Sequence, residues 1–160
     1  MIAKNAEENE IKKEIQALIQ KISKDKKILM IASSGSIDDH RDSYPSSLPE
    51  CISVGCLTSN FQRHPSSRKT STLDIMAPGD GIFSLIDKEN ISKDSGTSQA
   101  AAFISGVCAL ILEKFNSGNI NLEEVKNKLY ETAFSESFIP EEFGNGIVNP
   151  NKLFNALKKI

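Results

Sequence analysis

From Ala100 to Leu112 nearly every residue is apolar, with Phe103, Ile104, Val107, Leu110 and Ile111 among them, and Gly96-Thr97-Ser98-Gln99 stands directly ahead. No other stretch constrains the fold as strongly. Such a run predicts a helix buried on all sides, which the rest of the chain must cover. It also places the Ser98 hydroxyl where that helix begins. The first turn of a helix leaves backbone N–H groups unpaired and carries the positive end of the dipole, a setting that favours an alkoxide and a tetrahedral oxyanion. Taken alone, Gly96-Thr97-Ser98 reads more simply as a Thr/Ser cap on a core helix.

The segments around it are those of an α/β protein. Ile11, Ile15, Leu18, Ile19 and Ile22 repeat at helical spacing and predict an amphipathic helix over 6–22, its charged face solvated. Ile28-Leu29-Met30-Ile31-Ala32 is a short continuous apolar run, as expected of a strand buried on both faces, and it ends in the small-residue loop Ser33-Ser34-Gly35-Ser36. A polar stretch leads to a second strand over Cys51–Cys56. Residues 58–71 read as an exposed loop. A third strand, Leu73–Met76, is halted by Ala77-Pro78-Gly79. Ile82–Ile86 and Ile91-Ser92 can pair as a hairpin. After the apolar helix, Asn121 with Glu124 three residues on predicts a capping box and a helix whose buried face is Val125, Leu129 and Ala133. Gly144–Asn149 reads as a turn plus short strand, and 151–158 as a final helix. Helices interleaved with short, doubly buried strands argue for a mostly parallel sheet.

The 160 residues suffice for one core, so a single domain over 1–160 is expected. A net charge of −2 gives no electrostatic reason to expect nucleic acid or an anionic membrane as partner. No segment approaches the roughly 18 apolar residues that span a bilayer. The start, Met1 to Glu8, is acidic and polar rather than signal-like, so as written the chain reads as cytoplasmic. Cys51, Cys56 and Cys108 lack CxxC spacing and are odd in number, which predicts packed free thiols.

Five blocks in order carry a more specific signal: Ile28–Ser36, Pro49-Glu50-Cys51-Ile52-Ser53-Val54-Gly55, Leu73–Gly79, Gly96-Thr97-Ser98 with Ser105-Gly106, and Gly144–Asn149. Together they resemble the C-terminal half of the catalytic domain of the subtilisin-like serine peptidases, the subtilases. The resemblance implies an α/β fold, the C-terminal half of a subtilisin-like mostly parallel sheet with helices on both faces. It implies Ser98 as the nucleophile within the motif Gly96-Thr97-Ser98, with the Ser98 N–H as one oxyanion donor. It implies that Ser33, Ser34, Gly35 and Ser36 line one side of the substrate cleft, Ser36 at the oxyanion side-chain position. The substrate implied is a peptide or protein, with no cofactor and no metal.

A serine hydroxyl needs a histidine base, and that base needs a carboxylate to fix its tautomer. The family's chain order is Asp, His, Ser. Neither an Asp-Ser/Thr-Gly nor a His-Gly-Thr-His stretch occurs here, and the Ser-Leu-Gly substrate strand is also missing. The two histidines, His40 and His64, map to surface loops and read as solvated. Asp94 reads as a turn residue. Asp74 occupies an acidic strand position that in some members lies near a bound cation, and one carboxylate is weak evidence for a metal. Ser36 stands where the family usually has Asn, and Ala102-Phe103 where it has Pro-His. Loss of that amide costs about 10²–10³ in turnover in a family member.

The expectation is therefore the serine-bearing half of a subtilase, truncated or split, inactive alone and needing a companion N-terminal half that supplies Asp and His. An isolated half should be marginal, sticky or oligomeric, because a sheet strand and apolar faces lose their cover. A non-catalytic pseudopeptidase module that binds peptides or a partner protein is the alternative. A small α/β binding domain sharing only the Gly-Thr-Ser turn is a weaker one.

Overall fold

The computed structural model describes residues 2–26, 28–36, 43–114, 121–135 and 139–157, and within the first helix the side chains of 9–23. His40 and the rest of 37–42 lie outside the described residues, as does position 158 of the expected final helix. Helix α1 spans Ile2–Lys26. Strands β1 (Met30–Ser33), β2 (Cys51–Leu57), β3 (Ile75–Pro78), β4 (Ile82–Leu85) and β5 (Ile91–Asp94) follow, then α2 (Thr97–Lys114), α3 (Leu122–Glu131), α4 (Pro140–Phe143) and α5 (Pro150–Leu157).

The first three strands form a parallel sheet in the order β1-β2-β3. In β2, Val54 sits opposite both Ser33 of β1 and Ile75 of β3. All seven residues of β2 are buried, as its unbroken apolar and small side chains require of a central strand. Alternation sorts the neighbours by face. Ile52, Val54, Cys56, Ile75 and Ala77 join a cluster with Ile104, Val107, Cys108 and Ile111 of α2, Val125 and Leu129 of α3, and Leu153 and Leu157 of α5. On the other face Leu57, Leu73, Met76 and Ile147 pack together, with Phe143 of α4 against them. This is the α/β architecture the pattern called for.

Four details depart from the sequence expectations. The apolar helix α2 is buried on one side only: Ala100, Ile104, Val107, Cys108 and Ile111 are covered, whereas Phe103 and Leu110 are 39% and 55% exposed. A parallel sheet of three strands offers it a single surface, and nothing among the described residues covers the rest. Strand β1 is half-buried rather than doubly buried, because among the described residues it is an edge strand paired only with β2. Strand β3 begins at Ile75 and continues through Pro78, whose missing N–H costs nothing at a strand end. On α1, Ile11, Ile15 and Leu18 are exposed instead of packed.

The remaining elements follow their sequence cues. β4 and β5 pair antiparallel with Ile82 opposite Asp94 and Leu85 opposite Ile91. The Glu123 N–H donates to Asn121 Oδ1 at 3.0 Å and caps α3, so Asn121 is the cap expected, but among the described residues no Glu124 bond completes the expected capping box. Ile147 makes single bridges to Met76 and Phe134 in place of a full strand. Cys51, Cys56 and Cys108 are free and buried, and burial pushes the thiols of Cys56 and Cys108 up to about 11.

Candidate active site

Parallel strands deliver their successors at one end of the sheet, and that end collects the residues singled out above. Two interstrand spacings separate β1 from β3, so what leaves β1 and what is anchored to β3 lie about 10 Å apart across the sheet. Ser33 closes β1. The Ser34 N–H then donates to the Val54 carbonyl at 2.9 Å, holding the chain against β2 one residue longer. Ser34 is fully buried and its hydroxyl has no hydrogen-bond partner among the described residues. Gly35 turns the chain at φ +92°, where a β-carbon would come within 2.2 Å of Ser43 Oγ. The Arg68 N–H donates to the Gly35 carbonyl at 3.3 Å. Ser36 is exposed and bridges Ser67 of the β2–β3 connection. Of the four residues only Ser36 presents an exposed side chain to this end of the sheet.

The serine motif is held from the β3 side. The Gly96 N–H donates to the Gly79 carbonyl at 2.9 Å, fixing the start of α2 to the residue that follows β3. The approach is close: a β-carbon on Gly79 would lie 2.6 Å from the Gly96 carbonyl oxygen, 2.9 Å from Cys56 Sγ and 3.0 Å from Ala100 Cβ. Ser95 adds a second tie, its hydroxyl donating to Asp80 Oδ1 at 2.7 Å while accepting the Gly81 N–H at 2.8 Å. Thr97 is buried and Ser98 exposed at the first turn of α2. The Ala100 N–H reaches back to the Gly96 carbonyl at 3.2 Å, whereas the Ser98 N–H finds no acceptor among the described residues. An exposed hydroxyl and an unpaired N–H thus share one helix terminus. Asp94, expected as a turn residue, accepts the Ser95 N–H and Gln99 Nε2, the latter at 3.1 Å.

These are the residues that a family comparison must account for. The family model described as the Subtilase family matches residues 3–146. The chain belongs to the subtilase family. It is 30% identical to subtilisin DY of Bacillus licheniformis over 128 residues, covering 76% of this chain and 45% of that protein. It is also 30% identical to an extracellular basic protease of Dichelobacter nodosus over 152 residues, 89% of this chain and 25% of the other. Among solved structures it superposes on the prenylagaramide maturation protease PagA with TM-score 0.76 at 25% identity, covering 86% of this chain and 53% of that one. A PatG macrocyclase in complex with peptide gives TM-score 0.76 at 25% identity, with 89% and 47% covered. The subtilase chain described here therefore spans about half or less of the length of these relatives.

Two acidic residues acquire roles that the sequence did not specify. Asp74 Oδ2 accepts the Ser53 N–H at 2.8 Å, and its carbonyl accepts Asn145 through both N–H (2.8 Å) and Nδ2 (2.9 Å). Asp74 pins the start of β3 between β2 and the Gly144-Asn145 turn. Burial raises its carboxyl above the usual carboxylate range, opposed by the Ser53 N–H, Lys126 and Tyr130. Among the described residues no group of three His, Cys, Asp or Glu side chains could hold a metal. Asp80 lies 3.9 Å from His64 Nε2, and the His64 side chain is only 21% exposed, so this loop histidine is half-buried rather than solvated. Ser67, buried, accepts the Cys56 N–H on its hydroxyl at 3.0 Å. No local pattern announces Asp80 or Ser67, whose side-chain partners lie 11 or more residues away in the chain.

Proposed function

We propose that this chain supplies the nucleophile side of a subtilase active site. Ser98 attacks a peptide carbonyl, an acyl-enzyme forms on it, and water releases the acyl group. The observation that carries this reading is the exposed Ser98 hydroxyl beside its unpaired N–H at the start of α2. That N–H is suited to an oxyanion, which gains charge at the helix terminus only as the tetrahedral intermediate forms. Ser36 is the second donor candidate and, with Ser33, Ser34 and Gly35, forms the β1 side of the cleft. A hydroxyl is shorter than an amide, so Ser36 reaches an oxyanion most readily through a water.

The base and its orienting carboxylate come from outside residues 1–160. The open edge of β1 and the uncovered Phe103 and Leu110 on α2 support a companion segment that adds a strand and covers the helix. Without a base, triad chemistry falls by about 10⁴–10⁶. A peptide substrate is supported by the solved neighbours, which are a maturation protease and a macrocyclase held with peptide. A non-catalytic peptide- or partner-binding module is the second reading. Ser36 in place of an amide and Ala102-Phe103 in place of Pro-His favour it.

A fluorophosphonate probe tests the choice. The chain is treated alone and with the segment of subtilisin DY that it does not match, and adducts are mapped to residues by mass spectrometry. Adduct on Ser98 only in the mixture, abolished by Ser98→Ala, supports the nucleophile reading. A stable complex that never labels Ser98 supports the binding module.

A further inference from the structure

Outside the start of α2, the connection between β2 and β3 assembles a serine, a histidine and a carboxylate. His64 Nδ1 lies 2.7 Å from Ser66 Oγ, and the Ser66 N–H also points at Nδ1, at 3.2 Å. A backbone N–H can only donate. Nδ1 therefore carries a lone pair, the Ser66 hydroxyl donates to it, and the ring proton resides on Nε2. Nε2 faces Asp80 Oδ1 at 3.9 Å, and that same oxygen is held by the Ser95 hydroxyl at 2.7 Å. The backbone of His64 is fixed as well, because its N–H donates to the Cys56 carbonyl at 2.8 Å and the Ser67 N–H closes the turn on the His64 carbonyl at 2.8 Å. The order is hydroxyl to unprotonated nitrogen at hydrogen-bond distance, then protonated nitrogen toward a carboxylate 3.9 Å away, longer than a hydrogen bond. That is the relation by which a histidine activates a serine.

We propose that Ser66 is a second, independently activated nucleophile, with His64 as its base and Asp80 orienting the imidazole, and that it accepts acyl groups from activated esters. In that step the Ser66 Oγ–acyl carbon bond forms and the bond to the leaving oxygen breaks. The hydroxyl proton passes to His64 Nδ1 and then to the departing alcohol. Ser66 is partly exposed, so a small donor reaches it. The charged and titratable groups around His64 are few. Asp80 follows β3. Arg63 is the preceding residue, its guanidinium donating to the Ser67 carbonyl. Cys56 lies on β2, and Glu142 of α4 feels the charge of Arg63 and is itself paired with Lys69. The proposal does not rest on Ser98 being a nucleophile.

The test uses the full chain carrying Ser98→Ala, so that the two serines are never confused. It is treated with a fluorophosphonate, where the Oγ–P bond forms as fluoride leaves, and adducts are mapped by peptide mass. Ser59 and Ser71, exposed serines of the same connection, are internal controls. The expected result is an adduct on Ser66 at a rate that rises with pH and exceeds that of Ser59 and Ser71. His64→Gln should lower that rate about 10²-fold, the usual scale of a general base, and Asp80→Asn should shift its pH midpoint. Circular dichroism checks that each variant is folded. Should His64→Gln not fold, the pH profile of the Ser98→Ala chain and the rate ratio of Ser66 to Ser59 decide instead. Labelling of Ser66 no faster than Ser59 and Ser71, or independent of pH, overturns the proposal.

Discussion

Gly79 and Gly106 are both glycines, and replacing each by alanine should move the stability of this chain in opposite directions. At Gly79 the added carbon would meet the Gly96 carbonyl oxygen at 2.6 Å, Cys56 Sγ at 2.9 Å and Ala100 Cβ at 3.0 Å. None of these is the far end of a flexible side chain. The helix terminus must retreat, which weakens the 2.9 Å bond from the Gly96 N–H to the Gly79 carbonyl. Overpacking of this kind costs about 1–3 kcal/mol, and the weakened bond adds about 1 kcal/mol, for a total of about 2–4 kcal/mol. At Gly106, on the uncovered side of α2, a β-carbon meets nothing within 4 Å. There alanine only removes backbone freedom from the unfolded chain, a gain of about 0.5–1 kcal/mol. For a chain of this size these become a midpoint lowered by about 5–15 °C for Gly79→Ala and raised by about 2 °C for Gly106→Ala. Thermal denaturation followed by circular dichroism, at concentrations where light scattering shows a monomer, reads both. If Gly79→Ala leaves no transition, the sign is still decided by the rise in Gly106→Ala. Equal midpoints for the two variants would refute the claim that Gly79 is a contact point between sheet and serine motif.

Three further outcomes are expected. Buried thiols with raised pKa values resist modification, so a thiol reagent at neutral pH should leave Cys51, Cys56 and Cys108 unlabelled in the folded chain and react with all of them in urea. Because the Asp74 carboxyl is raised in the fold, its contribution to stability is full below the usual carboxylate range and is lost as pH rises through the folded value; Asp74→Asn, which keeps an acceptor for the Ser53 N–H, should flatten that decline in urea titrations at pH 4.5 and 7. Leu110→Glu should reduce self-association in light scattering without lowering the thermal midpoint of the monomer, since Leu110 is 55% exposed.

Much of the fold was legible because this chain states its core locally. The run Cys51–Cys56 reads as a strand and extends to Leu57, and Val125 and Leu129 mark the buried face of α3, whereas Ala133, expected on the same face, is buried just past the helix end at Glu131. The Asn121 cap and the β4–β5 hairpin are also read from a few adjacent residues. What misled was hydrophobicity without reference to coverage. Ala100–Leu112 and Ile28–Ala32 are apolar on every side, yet the described residues cover only one side of α2 and pair only one edge of β1. Composition records what a segment can bury, not what is present to bury it. The candidate site divides in the same way. Ser98 and the Ser33–Ser36 turn are visible as motifs, whereas the His64–Asp80–Ser95 contacts join three separate connections and exist only after the sheet has formed.

The pinch at Gly79 and Gly96 also insulates what lies between them. Every residue of the β4–β5 hairpin is threaded through a neck closed by the Gly96–Gly79, Ser95–Asp80 and Gly81–Ser95 bonds. Its tip is self-sufficient: Asp87 accepts the N–H groups of Glu89 and Asn90 and the Asn90 amide. Beyond the neck, the polypeptide can be lengthened without the serine motif sensing it. The peptide bond between Lys88 and Glu89 is thus a natural splice point, where a reporter or an affinity module can be inserted and the helix terminus that carries Ser98 keeps its register.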